Sequence, residues 1–176
     1  MPRFEELDKA QRVARIFSQT GDMQPLCDFM EDYYFKVFDN RDYRLSNELT
    51  IKTAFLTLLF NDVFYIMDSE TALERGYADL TMIVRPDMRR YKLLDILIEF
   101  KYLNLSDTGL KSSEIKSKSF DELKALSSVQ EQLTESKAQL AQYQKGLKAK
   151  YGEVLQLRTY SVIALGFERV VWFRVA

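Results

Sequence analysis

The chain has 176 residues, 47% of them hydrophobic and 29% charged, with a formal net charge of −1. That is enough for one domain with a real core, and it gives no global basic field to draw in nucleic acid, so any such contact needs a local patch. Histidine is absent, which excludes Ser-His-Asp triads, Cys-His dyads, zincins and His-metal centres; the single cysteine, Cys27, excludes an intrachain disulfide and points to a reducing compartment.

In chain order, the pattern predicts a short amphipathic helix from Phe4 to Thr20, closed by Gly21. The N-terminus is too charged for a signal peptide. A second helix is expected from Met23 to Phe38, then a polar turn at Asn40-Arg41-Asp42. Ser46 is a candidate cap for a third helix, Asn47 to Phe60, with Glu48, Ile51, Phe55 and Leu58 on one face. The apolar run from Ala54 to Phe60 is far too short to span a membrane.

Strand character follows: Val63–Met67, Tyr77–Arg85 and Leu93–Leu103, with a turn at Pro86–Arg90. Short links between them argue for an antiparallel meander. Asn104 to Ser119, rich in Ser and Lys, is expected to be a mobile loop. A long helix is predicted from Phe120 to Tyr151, ended by Gly152. Two strands close the chain, Leu155–Leu165 and Val170–Val175. The order is helix, three strands, helix, two strands: an α/β fold whose mixed central sheet has helices on both faces. Residues 1–45 read as a helical extension and 46–176 as the main domain.

Asp79 sits within the second predicted strand, Tyr77-Ala78-Asp79-Leu80-Thr81-Met82-Ile83-Val84. Glu99-Phe100-Lys101 ends the apolar run Leu93-Leu94-Asp95-Ile96-Leu97-Ile98. Strand side chains alternate, so Glu99 and Lys101 share a face. Burying such charges is costly without a metal or a partner. Glu-x-Lys alone is a weak signal, since it recurs at Glu114-Ile115-Lys116, Glu122-Leu123-Lys124 and Glu135-Ser136-Lys137. Only the copy at Glu99 lies on an apolar strand beside a second carboxylate. Oxygen ligands of this kind favour Mg²⁺ or Mn²⁺. The local balance also leans basic, with eight Lys or Arg against five acids from Arg85 to Lys118.

Asp79, Glu99-x-Lys101 and the later Gln139-Leu140-Ala141-Gln142-Tyr143, in this element order, resemble the PD-(D/E)XK nuclease superfamily. The Gln-x-x-x-Tyr element is similar to its RecB-like branch. The layout resembles the C-terminal nuclease domain of AAA-ATPase-like proteins of unknown function, although no Walker A motif is present here. The departure is Ala78, which stands where the family name has proline.

The resemblance implies a restriction-endonuclease-like core and metal-dependent hydrolysis of nucleic acid, with DNA the expected substrate. Asp79, Glu99 and the backbone carbonyl of Phe100 would hold Mg²⁺ (or Mn²⁺), and Lys101 would act on water and phosphate. Glu48 is a candidate accessory ligand. Gln139 and Tyr143 would contact the nucleic-acid backbone or the lysine. Lys111, Lys116 and Lys118 are candidate phosphate contacts. Glu70 and Glu74 read as solvated turn residues. The alternative is a non-cleaving module of the same fold that binds nucleic acid or a partner and serves an ATPase domain. A cytoplasmic location and no membrane association are expected, and a homodimer is left open.

Overall fold

The structure is a computed structural model that describes residues 2–37, 48–69, 71–73 and 76–176. Its elements are α1 (Pro2–Thr20), α2 (Gln24–Phe29), α3 (Glu48–Leu59), β1 (Tyr65–Asp68), β2 (Thr71–Leu73), β3 (Gly76–Ala78), β4 (Leu80–Val84), β5 (Asp95–Leu103), α4 (Leu105–Thr108), α5 (Ser112–Ser117), α6 (Phe120–Lys124), α7 (Ser127–Tyr151), β6 (Leu157–Leu165) and β7 (Arg169–Arg174). The expected turn at Asn40-Arg41-Asp42, the Ser46 cap, Glu70 and Glu74 lie outside the described residues. No helix among the described residues is long and apolar enough to cross a membrane.

Five strands form one mixed sheet in the order β1-β4-β5-β6-β7, and β2 pairs with β3 apart from it. β1, β4 and β5 run as the expected antiparallel meander. β5 and β6 are parallel, because α4 to α7 carry the chain back to the same end. Both faces of β5 are covered, as its apolar run requires. Ile96, Ile98 and Phe100 enter one core with Phe17, Leu26, Ile51 and Phe55 from α1, α2 and α3. Leu97 and Leu103 face the opposite way, toward Leu140, Tyr143 and Leu147 or Leu123, Val129 and Leu133 on α6 and α7.

Asp95 locks the sheet at its far end from Glu99. It is fully buried and accepts hydrogen bonds from the backbone N–H of Val84 and of Gln156, each at 2.8 Å. Arg89 grips it with two guanidinium nitrogens at 2.9 and 3.0 Å. One carboxylate thereby fixes the end of β4, the start of β5 and the approach to β6. The N-terminal helices are tied to the same body. Tyr160 on β6 donates its hydroxyl to the Gly21 carbonyl at 2.8 Å. Gly21 has φ +75°, and a Cβ there would lie 2.6 Å from that hydroxyl, so glycine is required for both conformation and space.

Several expectations are corrected. The strand expected from Tyr77 to Arg85 is broken by a bend at Asp79: β3 belongs to the small hairpin and only β4 joins the main sheet. The apolar run hides the break because both segments are strand-forming. Residues 104–119 are not a mobile loop. They form α4 and α5, anchored by the buried Ile115 and by Leu105 and Leu110. Asp107 and Glu114 accept the backbone N–H groups of Asn104 and Lys111, which starts each helix despite the polar composition. The long helix is interrupted at Ala125–Leu126, where Leu126 is extended and Gln130 donates to the Lys124 carbonyl at 2.7 Å. The second helix turns π-helical at Met30–Tyr34 and tightens to a 3-10 turn at Phe35–Val37. Pro86–Tyr91 is a 3-10 helix rather than a simple turn.

Replacing Asp95 with Ala leaves Arg89 and two buried N–H groups without their acceptor. The expected loss is about 3 kcal/mol, read by urea unfolding; a change under ~0.5 kcal/mol would show that solvent replaces the clamp.

Candidate functional site

The site forms where β4 and β5 part. Their ladder ends at Leu80 opposite Ile98. Hydrogen bonds toward one neighbour recur every second residue along a strand, so the next β5 donor toward β4 is Phe100. The chain bends away at Asp79, and the Asp79 carboxylate takes the place of the missing strand. Its Oδ2 accepts the Phe100 N–H at 2.9 Å. A strand residue sends its N–H and C=O to the same edge, so the Phe100 carbonyl is directed to the edge that Asp79 occupies. The other Asp79 oxygen, Oδ1, lies 3.4 Å from the Lys52 ammonium, which reaches across from α3.

Glu99 is 3% exposed. Its Oε1 accepts from the Lys101 ammonium at 3.2 Å, the same-face neighbour expected from the strand period. Its Oε2 is buried and has no hydrogen-bond partner among the described residues. Burial, and then the Asp79 charge, push the Glu99 carboxyl up to about 7, against the pull of Lys101.

Glu48 stands half-buried in the first turn of α3, one turn before Lys52. Its carboxyl is raised by burial, lowered by Lys101 and raised by Asp79, so it feels both sides of the site. No group of three acidic, cysteine or histidine side chains draws together as a metal cluster among the described residues. Asp79 and Glu99 each meet one lysine, Lys52 and Lys101.

α7 closes the site from the other side. Tyr143 is buried, and its phenol is raised by burial and then by the Glu99 and Asp79 charges. Glu135, two helical turns earlier, acts on Glu48. Gln139 falls between them on the same stripe, and its Oε1 is buried with no hydrogen-bond partner among the described residues. Of the three candidate lysines of residues 111–118, only Lys116 has its ammonium group in an ion pair among the described residues. Lys116 pairs with Glu168 at 2.8 Å. Lys111 and Lys118 flank α5, and the Lys118 carbonyl accepts from Arg169 at 2.8 Å.

Lys52 is the residue that sequence reasoning missed. Four residues after Glu48 it reads as half of a solvated helix pair, yet its side chain is only 8% exposed. The available signal was its place between Ile51 and Ala54, inside a helix apolar on most sides.

The donor set fits a hard divalent cation: two carboxylates, an adjacent backbone carbonyl, and one buried carboxylate oxygen with no hydrogen bond to satisfy it. Residues 46–172, well over half the chain, match the model of the PD-(D/E)XK nuclease superfamily. The chain belongs to that superfamily. No curated protein matches it, and no solved structure does. The five-strand mixed sheet with helices on both faces is the restriction-endonuclease-like fold of this superfamily.

Two predictions follow from the charges. A carboxyl raised on folding contributes stability that is fully present below about pH 4.5 and is lost as pH rises through about 7. A cation binds the ionised form, so the Mn²⁺-induced rise in Tm should grow from about pH 5 to about pH 8 and flatten in Glu99→Gln. Differential scanning fluorimetry checks this; a pH-independent rise would dissociate Glu99 from the cation. Lys52→Met should raise Mn²⁺ affinity several-fold at low salt, because it removes the positive charge beside Asp79. Isothermal titration giving the wild-type affinity would make Lys52 a purely structural partner.

Proposed function

We propose that this protein is a metal-dependent nuclease that hydrolyses phosphodiester bonds, with DNA as substrate and Mg²⁺ or Mn²⁺ as cofactor. The observation that carries this reading is the meeting of Asp79 and Glu99 at one strand edge, with Glu99 Oε2 left unsatisfied beside Lys101. Asp79, Glu99 and the Phe100 carbonyl would hold the ion, with Glu48 as accessory acid. A divalent cation in this position supplies Lewis-acid polarisation of the phosphate and a more acidic water.

The protein's own groups do the rest. Asp79 and Glu99 would hold the ion in place of the two ammonium groups now paired with them, and Lys52 and Lys101 would then be available to the substrate. Lys101 then offsets charge on the phosphate and orients the attacking water. Lys52 provides a second positive charge on the α3 side. Gln139 and Tyr143 face the substrate backbone or Lys101 from α7, the arrangement of the RecB-like branch. Lys111 and Lys118 remain candidate phosphate contacts at the rim, whereas Lys116 would first have to leave Glu168. Residues 1–45 act as a helical extension to a nuclease unit of 46–176, and an ATPase-like domain in the same protein is the proposed context. The single buried cysteine suits a reducing, cytoplasmic setting.

A second reading is a non-cleaving module of this fold that binds nucleic acid or a partner. The lysines paired with Asp79 and Glu99 favour it, since each of these two carboxylates has a countercharge without any cation.

Cleavage of single- and double-stranded DNA and RNA, with Mg²⁺ or Mn²⁺, separates the two. Lys101→Ala should lower turnover by about 10²-fold or more and spare Mn²⁺ binding. Asp79→Asn should weaken Mn²⁺ binding about tenfold or more while keeping an oxygen for the Phe100 N–H. Wild-type turnover in the Lys101 variant would refute its role. Metal binding without cleavage of any substrate would favour the second reading.

A further inference from the structure

A concave surface lies at the opposite end of α3 from Glu48. α1, the last turn of α3, the start of β1 and the Pro86–Tyr91 helix enclose a cavity of about 670 Å³. That is the size range of small-molecule sites. Its floor is apolar: Leu59, Tyr65 and Met82 are each at most 3% exposed. Phe64 and Tyr91 meet edge to face along one wall, with ring centroids 5.4 Å apart. Phe60, 63% exposed, is left as a bare apolar surface on the lip.

The rim is cationic. Arg12 and Arg15 are three residues apart on α1 and therefore neighbours on its surface. Both are exposed, and neither guanidinium has an ion pair or hydrogen bond among the described residues. Asp8 is the one acid on the lining, so positive charge exceeds negative.

We propose that this cleft binds a nucleotide, with the base on the apolar floor against Phe60 and the phosphate at Arg12 and Arg15. An apolar floor under a two-arginine rim suits a ligand that is planar and apolar at one end and anionic at the other. Guanidinium groups match phosphate oxygens bidentately, and aromatic side chains take any base by stacking. The same chemistry comes from a free mononucleotide or from one unit of a single strand. For a strand, α3 is the ruler: Lys52 to Leu59, beside Phe60, is seven residues, about 10 Å along the helix. Binding here uses neither the cation nor hydrolysis, so it stands or falls separately from the nuclease reading.

The test is binding by the full chain in EDTA, where cleavage is suppressed. The probes are a fluorescein-labelled mixed-sequence single-stranded DNA octamer, read by anisotropy, and adenosine monophosphate, read by calorimetry. At least one should bind saturably. Arg12→Ala/Arg15→Ala should weaken it tenfold or more, and Phe60→Glu should do the same with both arginines in place. All three positions are exposed, so melting temperatures should match the parent. If the octamer binds, losing two phosphate contacts should reduce its log-log salt slope by about 1.4. Adenosine monophosphate binding as tightly as the octamer identifies a free nucleotide as the ligand; octamer binding alone identifies a strand. Failure of both probes to bind, or binding undiminished in either variant, overturns the proposal.

Discussion

The hydrogen bond from the Phe100 N–H to Asp79 is the constraint on which the site depends. A strand that leaves a sheet exposes a backbone donor, and a buried donor needs an acceptor. Here a carboxylate meets that need in place of the departing backbone. The bend that takes β3 into its own hairpin therefore also delivers an acid to the edge of β5. Fold and site are one solution: were β4 to continue straight, the ladder would consume the Phe100 N–H, and Asp79 would lose the donor that aims it.

Placing that acid beside Glu99 creates a like-charge problem, which the protein meets with two lysines from two directions. Lys101 comes from the strand itself and Lys52 from α3. Each pair is mostly buried, and desolvation of such pairs offsets much of their attraction. The arrangement adds little to stability, and it keeps two carboxylates and two ammonium groups within reach of one another. A site of this kind costs stability that the apolar cores must supply. Both faces of β5 supply it, through side chains such as Phe17 and Phe55 on one and Leu140 and Leu147 on the other.

The parts of this arrangement that obey a simple period were legible in the sequence. Glu99 and Lys101 share a face because strands alternate, and Gln139 and Tyr143 share a stripe because a helix turns in 3.6 residues. The layered mixed sheet followed from an apolar β5 that needs cover on both sides. What was not legible depends on partners distant in the chain. The break at Asp79 is invisible in a run that favours strand on either side of it. Lys52 looks solvated until the loop of Asp79 closes over it. The helices of residues 104–119 follow from three apolar anchors, Leu105, Leu110 and Ile115, whose value appears only when the second core cluster exists to receive them. Composition hid them because Ser and Lys outnumber the anchors.

Two acids on the same face of the same strand differ in how fully their oxygens are satisfied. Asp95 and Glu99 are both buried, at 0% and 3% exposure. Asp95 receives two backbone N–H groups and two guanidinium nitrogens among the described residues, so both of its oxygens are engaged. Glu99 receives one lysine and keeps an oxygen with no hydrogen bond. Burial alone therefore does not distinguish a structural acid from a reactive one. Saturation does: a carboxylate with every lone pair directed at a fixed donor has no capacity for a cation, and one with an unsatisfied oxygen retains a cost that a ligand can remove. The clamp at Asp95 also makes the open end possible, because it holds β4, β5 and the approach to β6 in register where their charges are satisfied. The strands can then part at Asp79 without the sheet losing its alignment.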